Sequence, residues 1–170
     1  SALGYPLPRF SHVSMILGPD KKKLSKRHGA QSVMEYQKMG YLPQAVVNYL
    51  VRLGWAYGDQ EEFTLEELIE KFSLEAVGKS PAAINPGKLD WLNGQHMKRM
   101  ELNELAAKIL PFLQSRGYLT GGPADRDLEV LRKAGLVRWG RGKTLVGMAE
   151  TVGVYIRSGI GFGGKGCGEF

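Results

Sequence analysis

The sequence predicts a mainly α-helical protein that opens on a short β-strand. Three observations carry that expectation. From residue 34 onward, apolar residues return at helical spacing in successive blocks. Helix start and stop signals separate those blocks: Gly40, Pro43, Gly54, Thr64 with Glu67, and Pro86. The one strand-like run, residues 12–17, feeds directly into the basic stretch Lys21-Lys22-Lys23-Leu24-Ser25-Lys26-Arg27, where five cations fall within seven residues and no acid intervenes.

Composition narrows the function classes. The chain has 170 residues, enough for one respectable core or two small ones. Its 43% hydrophobic content is ordinary for a globular domain. A formal charge of +6 leans toward an anionic partner, though charge speaks of association and not of fold. No apolar run approaches the roughly 20 residues of a membrane span, and Ser1-Ala2-Leu3-Gly4-Tyr5-Pro6 lacks the basic start and apolar centre of a signal peptide. Cys167 is the single cysteine, so an internal disulfide is impossible, and neither a structural zinc site nor any other bound metal is expected. A cytoplasmic location is the default expectation.

Taken in order, residues 1–10 read as an extended segment set by Pro6 and Pro8, and the abrupt start suggests a piece of something longer. Residues 12–17 form the apolar strand, with His12 expected as a hydrogen-bonded core side chain. The basic stretch after it is a mobile loop offering ammonium and backbone N–H groups to a phosphate chain; its alternative is a solvated charge run. It is no Walker A loop, because the second glycine of that motif is missing. Met34–Met39 form a short helix stopped by Gly40. Pro43 opens the next, with Ala45, Val46, Tyr49, Leu50 and Leu53 on its apolar face. Thr64 and Glu67 make a capping box before Leu65, Leu68, Ile69 and Phe72, a stripe expected in the core. Pro86 opens a helix carrying Leu89 and Trp91-Leu92, with the cations Lys88, Lys98 and Arg99 on it or just beyond.

From about residue 102 a second helical unit begins, with Leu105, Ile109, Phe112 and Leu113 on one face, and Pro111 expected to kink or split it. Gly121-Gly122-Pro123 breaks the chain, residues 124–137 are helical in pattern, and Leu145, Met148, Ala149, Val152, Tyr155 and Ile156 mark a last amphipathic helix. Gly147, Gly153, Gly159, Gly161, Gly163, Gly164, Gly166 and Gly168 weaken that end, each interior one at roughly 1 kcal/mol relative to Ala. Gly147 stands where a capping-box Glu would follow Thr144. Residues 158–170 are expected to fray.

Lys23-Leu24-Ser25-Lys26-Arg27 resembles the KMSKS signature of class I aminoacyl-tRNA synthetases, in the form seen in glutamyl-tRNA synthetases. Its flanks match as well: Phe10-Ser11-His12-Val13, Leu17-Gly18-Pro19-Asp20, His28-Gly29-Ala30 and Ser32-Val33. Gly40-Tyr41-Leu42-Pro43, Asn48-Tyr49-Leu50, Leu53-Gly54-Trp55 and Trp91-Leu92-Asn93-Gly94 follow in the family's order, so the resemblance covers roughly residues 1–155. The glycine-rich end departs from it, since relatives carry mostly acidic residues and alanine there.

The resemblance implies a division into three. Residues 1–33 would be the edge of a Rossmann-type catalytic domain with its signature loop. Residues 34–101 would be a helical stem-contact domain, and 102–170 the start of an all-α anticodon-binding region. It implies an ATP-dependent ligase joining glutamate to tRNA(Glu), with magnesium accompanying ATP and the protein a monomer. Lys26 would stabilise the departing pyrophosphate, Lys23 would assist, and Leu24, Ser25 and Arg27 would complete the ATP-binding loop. Lys88, Lys98 and Arg99 would face tRNA, with ordinary surface cations the equal alternative, as would Arg138 and Arg141 around Trp139, where a cationic helix end is the equal alternative. The family's HIGH signature falls before residue 1, and none of His12, His28 or His96 has its setting, so this segment alone is expected to be inactive. Two other readings compete: a non-catalytic RNA-binding module, against which the intact signature argues, and the equivalent part of a glutaminyl-tRNA synthetase or of the short glutamyl-queuosine paralogue. Glutaminyl enzymes continue into β-barrels and the short paralogue lacks a helical region, whereas the pattern here stays helical.

Overall fold

The computed structural model describes residues 4–8, 10–24, 32–119, 131 and 142–158. Among these residues the elements are two short strands and six helices: β1 (Ile16–Leu17), α1 (Val33–Lys38), α2 (Pro43–Arg52), α3 (Leu65–Lys71), β2 (Ala82–Ala83), α4 (Pro86–Arg99), α5 (Leu102–Ser115) and α6 (Leu145–Ser158). The chain divides into two compact units, residues 1–30 with 47–85 and residues 31–46 with 86–170.

In the first unit β1 and β2 pair in parallel, Ile16 opposite Ala82 and Leu17 opposite Ala83. The strand is shorter than its apolar run, because β2 offers only two residues of pairing. Val13 is therefore 84% exposed, and His12 is exposed and not the core side chain its setting suggested. The core here is Trp55, Phe63 and Leu68, with the rings of Trp55 and Phe63 edge to face at 5.4 Å. Polar clamps close it. Buried Asn48 accepts from the Phe63 N–H at 2.9 Å and donates to the Glu61 carbonyl at 3.0 Å, while the Arg52 guanidinium grips both Glu61 oxygens at 3.0 and 2.8 Å. Beside this core an apolar cavity of about 200 Å³ is lined by Val13, Ile16, Leu50, Leu53, Trp55 and Phe72.

The capping box of α3 forms as its sequence implies: Thr64 Oγ1 accepts from the Glu67 N–H, and the Glu67 carboxylate accepts from the Thr64 N–H. Its stripe is not core, however. Leu68 alone is buried, while Leu65, Ile69 and Phe72 are exposed. Leu68 packs with Trp55 and Phe63, and Phe72, just past the helix, lies 5.8 Å from the Trp55 ring, while Leu65 and Ile69 are left outward. Leu50 is likewise 41% exposed, on the flank of the α2 face whose Ala45, Val46, Tyr49 and Leu53 are buried.

The second unit packs α5 against α6 over a core running from Leu42 and Ala45 through Met97, Leu105, Ile109 and Leu113 to Leu145, Met148, Ala149 and Val152. Pro111 does not split α5, which runs unbroken from Leu102 to Ser115. Pro111 is exposed, as is Ala107, whose carbonyl loses its partner, and buried Leu105, Ile109 and Leu113 anchor the helix on both sides of the proline. The glycines do not abolish α6 either. Thr144 Oγ1 caps it by accepting from the Gly147 N–H at 3.1 Å, and Gly153 is where the Tyr118 ring lies against the helix: a Cβ there would meet Tyr118 Cγ at 2.4 Å. Gly40, at φ +81°, is equally enforced, since a Cβ would lie 2.5 Å from the Val146 nitrogen and its carbonyl accepts from Leu145 N–H. The helix expected over 124–137 lies outside the described residues except for buried Leu131, as do residues 159–170.

Candidate functional site

The basic stretch begins as a hydrogen-bonded hairpin. The Lys21 N–H donates to the Gly18 carbonyl at 3.0 Å, Gly18 N–H to the Lys22 carbonyl at 2.7 Å, and Leu24 N–H to the Ile16 carbonyl at 3.1 Å. Lys23 is bridged antiparallel to Leu17, so its backbone is tied to β1 while its side chain stays exposed. Asp20 orders the turn by accepting from the Lys22 N–H at 3.0 Å. Lys21 takes the left-handed position with φ +60°, the place a glycine usually fills in a three-residue hairpin; a side chain there costs roughly 1 kcal/mol. Up to Leu24, then, the basic stretch is pinned rather than loose. It holds the ammonium groups of Lys21, Lys22 and Lys23 in solvent at the end of β1, with Leu24 half-buried behind them. Ser25, Lys26 and Arg27 lie outside the described residues, as do Arg138 and Arg141.

The second group of predicted residues stands on α4. Lys98 and Arg99 are exposed and Lys88 is half-buried. The opposite side of the helix carries buried Leu89, Leu92, Asn93, His96 and Met97, which leaves Lys88, Trp91, Gln95, Lys98 and Arg99 on the outer arc at i, i+3, i+7, i+10 and i+11. Trp91 is 45% exposed. Sequence reasoning paired it with Leu92; its helical phase with Lys88 and Lys98 was the signal available. Two side chains fix this helix in its unit. Asn93, fully buried, accepts from the Leu42 N–H at 2.8 Å and donates to the Lys143 carbonyl at 2.6 Å. Asp90 accepts from the Tyr41 hydroxyl at 2.6 Å and lies 4.0 Å from the Lys143 ammonium. Neither latch was singled out from sequence.

Among the described residues no three or more His, Cys, Asp or Glu side chains come together as a metal site. Among them, too, no helix is long and apolar enough to cross a membrane.

The first unit thus carries a basic hairpin after a parallel strand, and in the second unit α4 carries Lys88, Lys98 and Arg99 on its outer arc. The family model for tRNA synthetases class I (E and Q), catalytic domain, matches residues 1–91, more than half of the chain, and the chain belongs to that family. Its relatives are specific. It is 51% identical over 163 residues to a glutamate–tRNA ligase of Geobacter sulfurreducens, covering 95% of this chain and 34% of that protein. It is 59% identical over 117 residues to that of Oleidesulfovibrio alaskensis, covering 69% and 25%. The crystal structure of a glutamate tRNA ligase from Elizabethkingia meningosepticum matches with a TM-score of 0.71 at 27% identity, covering 88% of this chain and 32% of that one. The chain thus spans about a third of the length of the curated relatives it matches.

Proposed function

We propose that this chain is part of a glutamate–tRNA ligase, which activates glutamate with ATP and transfers it to the terminal ribose of tRNA(Glu). In this reading residues 1–33 supply the ATP-phosphate loop, 34–101 contact the acceptor side of tRNA, and 102–170 begin the anticodon-binding region. The observation that carries it is the intact Lys23-Leu24-Ser25-Lys26-Arg27 run, inside the stretch matched by the catalytic family model.

Activation moves negative charge onto the leaving pyrophosphate. A cation already placed where that charge develops lowers the barrier without solvent having to reorganise. Lys26 takes this role and Lys23 supports it from the hairpin, its backbone held by Leu17. Leu24, Ser25 and Arg27 shape the loop around ATP. Magnesium enters with ATP. Lys88, Lys98, Arg99, Arg138 and Arg141 contribute phosphate contacts, whose strength falls steeply with salt. The intact enzyme acts as a cytoplasmic monomer, and the segment alone is inactive.

The test is Lys26→Ala in the full-length enzyme carrying this segment. ATP–pyrophosphate exchange should fall at least a hundredfold, in the range of a lost transition-state donor, while tRNA affinity changes little. Equal loss of both would reduce the loop to a tRNA-docking patch.

A further inference from the structure

We propose that Trp91 is a stacking contact for an unpaired nucleotide, with the phosphates on either side of it taken by Lys88, Lys98 and Arg99. The inference rests on the tRNA-binding part of the function proposed above and adds to it a residue and a mode of contact. Tryptophan is highly buried on average, yet Trp91 is 45% exposed on a helix whose other side is packed. It shares the outer arc with two exposed cations and one half-buried cation, and no acid lies on that arc. The acid within α4, Asp90, is off it and accepts from Tyr41.

The cations run from Lys88 to Arg99, about 16 Å along the axis at 1.5 Å per residue, and the ring lies between them. An exposed aromatic face bracketed by ammonium and guanidinium groups suits a single-stranded or splayed segment, where a base leaves its stack and lies on the ring while the backbone tracks the charges. A continuous duplex offers no such base. Rigidity favours the same conclusion: buried Leu89, Leu92, Asn93 and Met97 hold α4 in its unit, so the ring is presented ready for contact.

Stacking and ion pairing respond differently to salt, and that separates them. The chain would be titrated with transcribed tRNA(Glu) across a salt series. Trp91→Ala should weaken binding between about fivefold and a hundredfold with the salt slope unchanged, and Trp91→Phe should retain most of the affinity. Lys98→Ala should instead lower the salt slope by about one. Tryptophan fluorescence of the wild type minus that of Trp91→Phe should be quenched by the RNA, a readout that survives if Trp91→Ala fails to fold. Wild-type affinity in Trp91→Ala, or a difference signal blind to tRNA, overturns the proposal. So does a Trp91 already shielded from iodide before RNA is added to the full-length enzyme, since another part of the polypeptide would then cover it. Absence of glutamylation with Trp91 still quenched by tRNA would sink the ligase reading and leave this contact standing.

Discussion

Among the described residues thirteen buried ones, from Leu42 to Val152, form one apolar cluster in the unit of α4, α5 and α6, whereas the unit of β1, α3 and β2 clusters Trp55, Phe63 and Leu68. The larger cluster gains its cohesion from apolar area spread over many side chains. The smaller has a cavity beside it and a Trp55 indole N–H with no hydrogen-bond partner among the described residues. It depends instead on individually placed polar bonds: Asn48 to residues 61 and 63, Arg52 to Glu61, and the Thr64–Glu67 box. The two units should therefore fail in different ways, one by losing volume and the other by losing single bonds.

The largest effect is expected in the area-held unit. Leu113→Ala, at a fully buried position, should cost about 2–5 kcal/mol in urea unfolding. A loss below about 1 kcal/mol would show that α5 and α6 close over the gap and that this core is less tightly packed than its burial implies. Next is Asn48→Ala in the bond-held unit. It strands the Phe63 N–H and the Glu61 carbonyl and should cost about 1–3 kcal/mol, with hydrogen exchange accelerating at residues 61–63 before it does in α5. Uniform acceleration across both units would erase the distinction between them.

A sharper test lies within α6. Gly153→Ala should destabilise by about 1–3 kcal/mol, because its new methyl overlaps the Tyr118 ring. Gly147→Ala has only Thr144 Oγ1 within contact, at 3.5 Å, and should stabilise by up to about 1 kcal/mol. Thermal melts giving both the same sign would mean that propensity, and not packing against Tyr118, governs this helix. The smallest effect is electrostatic. The carboxyls of Glu66 and Glu67 are held below the ordinary value of 4.5, Glu66 chiefly by its own backbone N–H and Glu67 chiefly by that of Thr64. A lowered folded pKa contributes stability that is complete above pH 4.5 and is lost as pH falls through the folded value. Acid titration followed by NMR should loosen the start of α3 in that window, and Glu67→Gln should flatten the change.

Local signals were the most legible part of the sequence. Pro43, Pro86, Thr64 with Glu67, and Gly40 each act within one turn of chain, and the helices start or stop where these residues stand. What depends on a distant neighbour was not legible. Pro111 looks like a break until buried Leu105, Ile109 and Leu113 are seen to anchor α5 on both sides of it, and Gly153 looks like a defect until Tyr118 is beside it. Leu65 and Ile69 have core-like spacing, yet a seven-residue helix has too little opposite it to bury them. Of the candidate site, Lys23 and the α4 cations could be placed by pattern. The left-handed Lys21, the Asn93 latch and the exposure of Trp91 come from hydrogen bonds and helical phase in three dimensions.

Asn93 is followed by Gly94, a dipeptide whose side-chain amide is chemically short-lived in an unfolded chain, because the unhindered glycine nitrogen can attack the carboxamide and release ammonia. In the folded protein that nitrogen is held within α4, and the carboxamide is engaged by Leu42 and Lys143. The latch is thus also a clock. Each excursion to the unfolded state lets Asn93 close into a succinimide, which water opens to isoaspartate or aspartate; neither can donate to the Lys143 carbonyl, so ageing at high temperature becomes progressively irreversible. Mass spectrometry of heat-aged protein should find deamidation at Asn93 rising in step with the fraction unfolded, and deamidation that proceeds equally fast in the fully folded state would show that the helix gives no such protection.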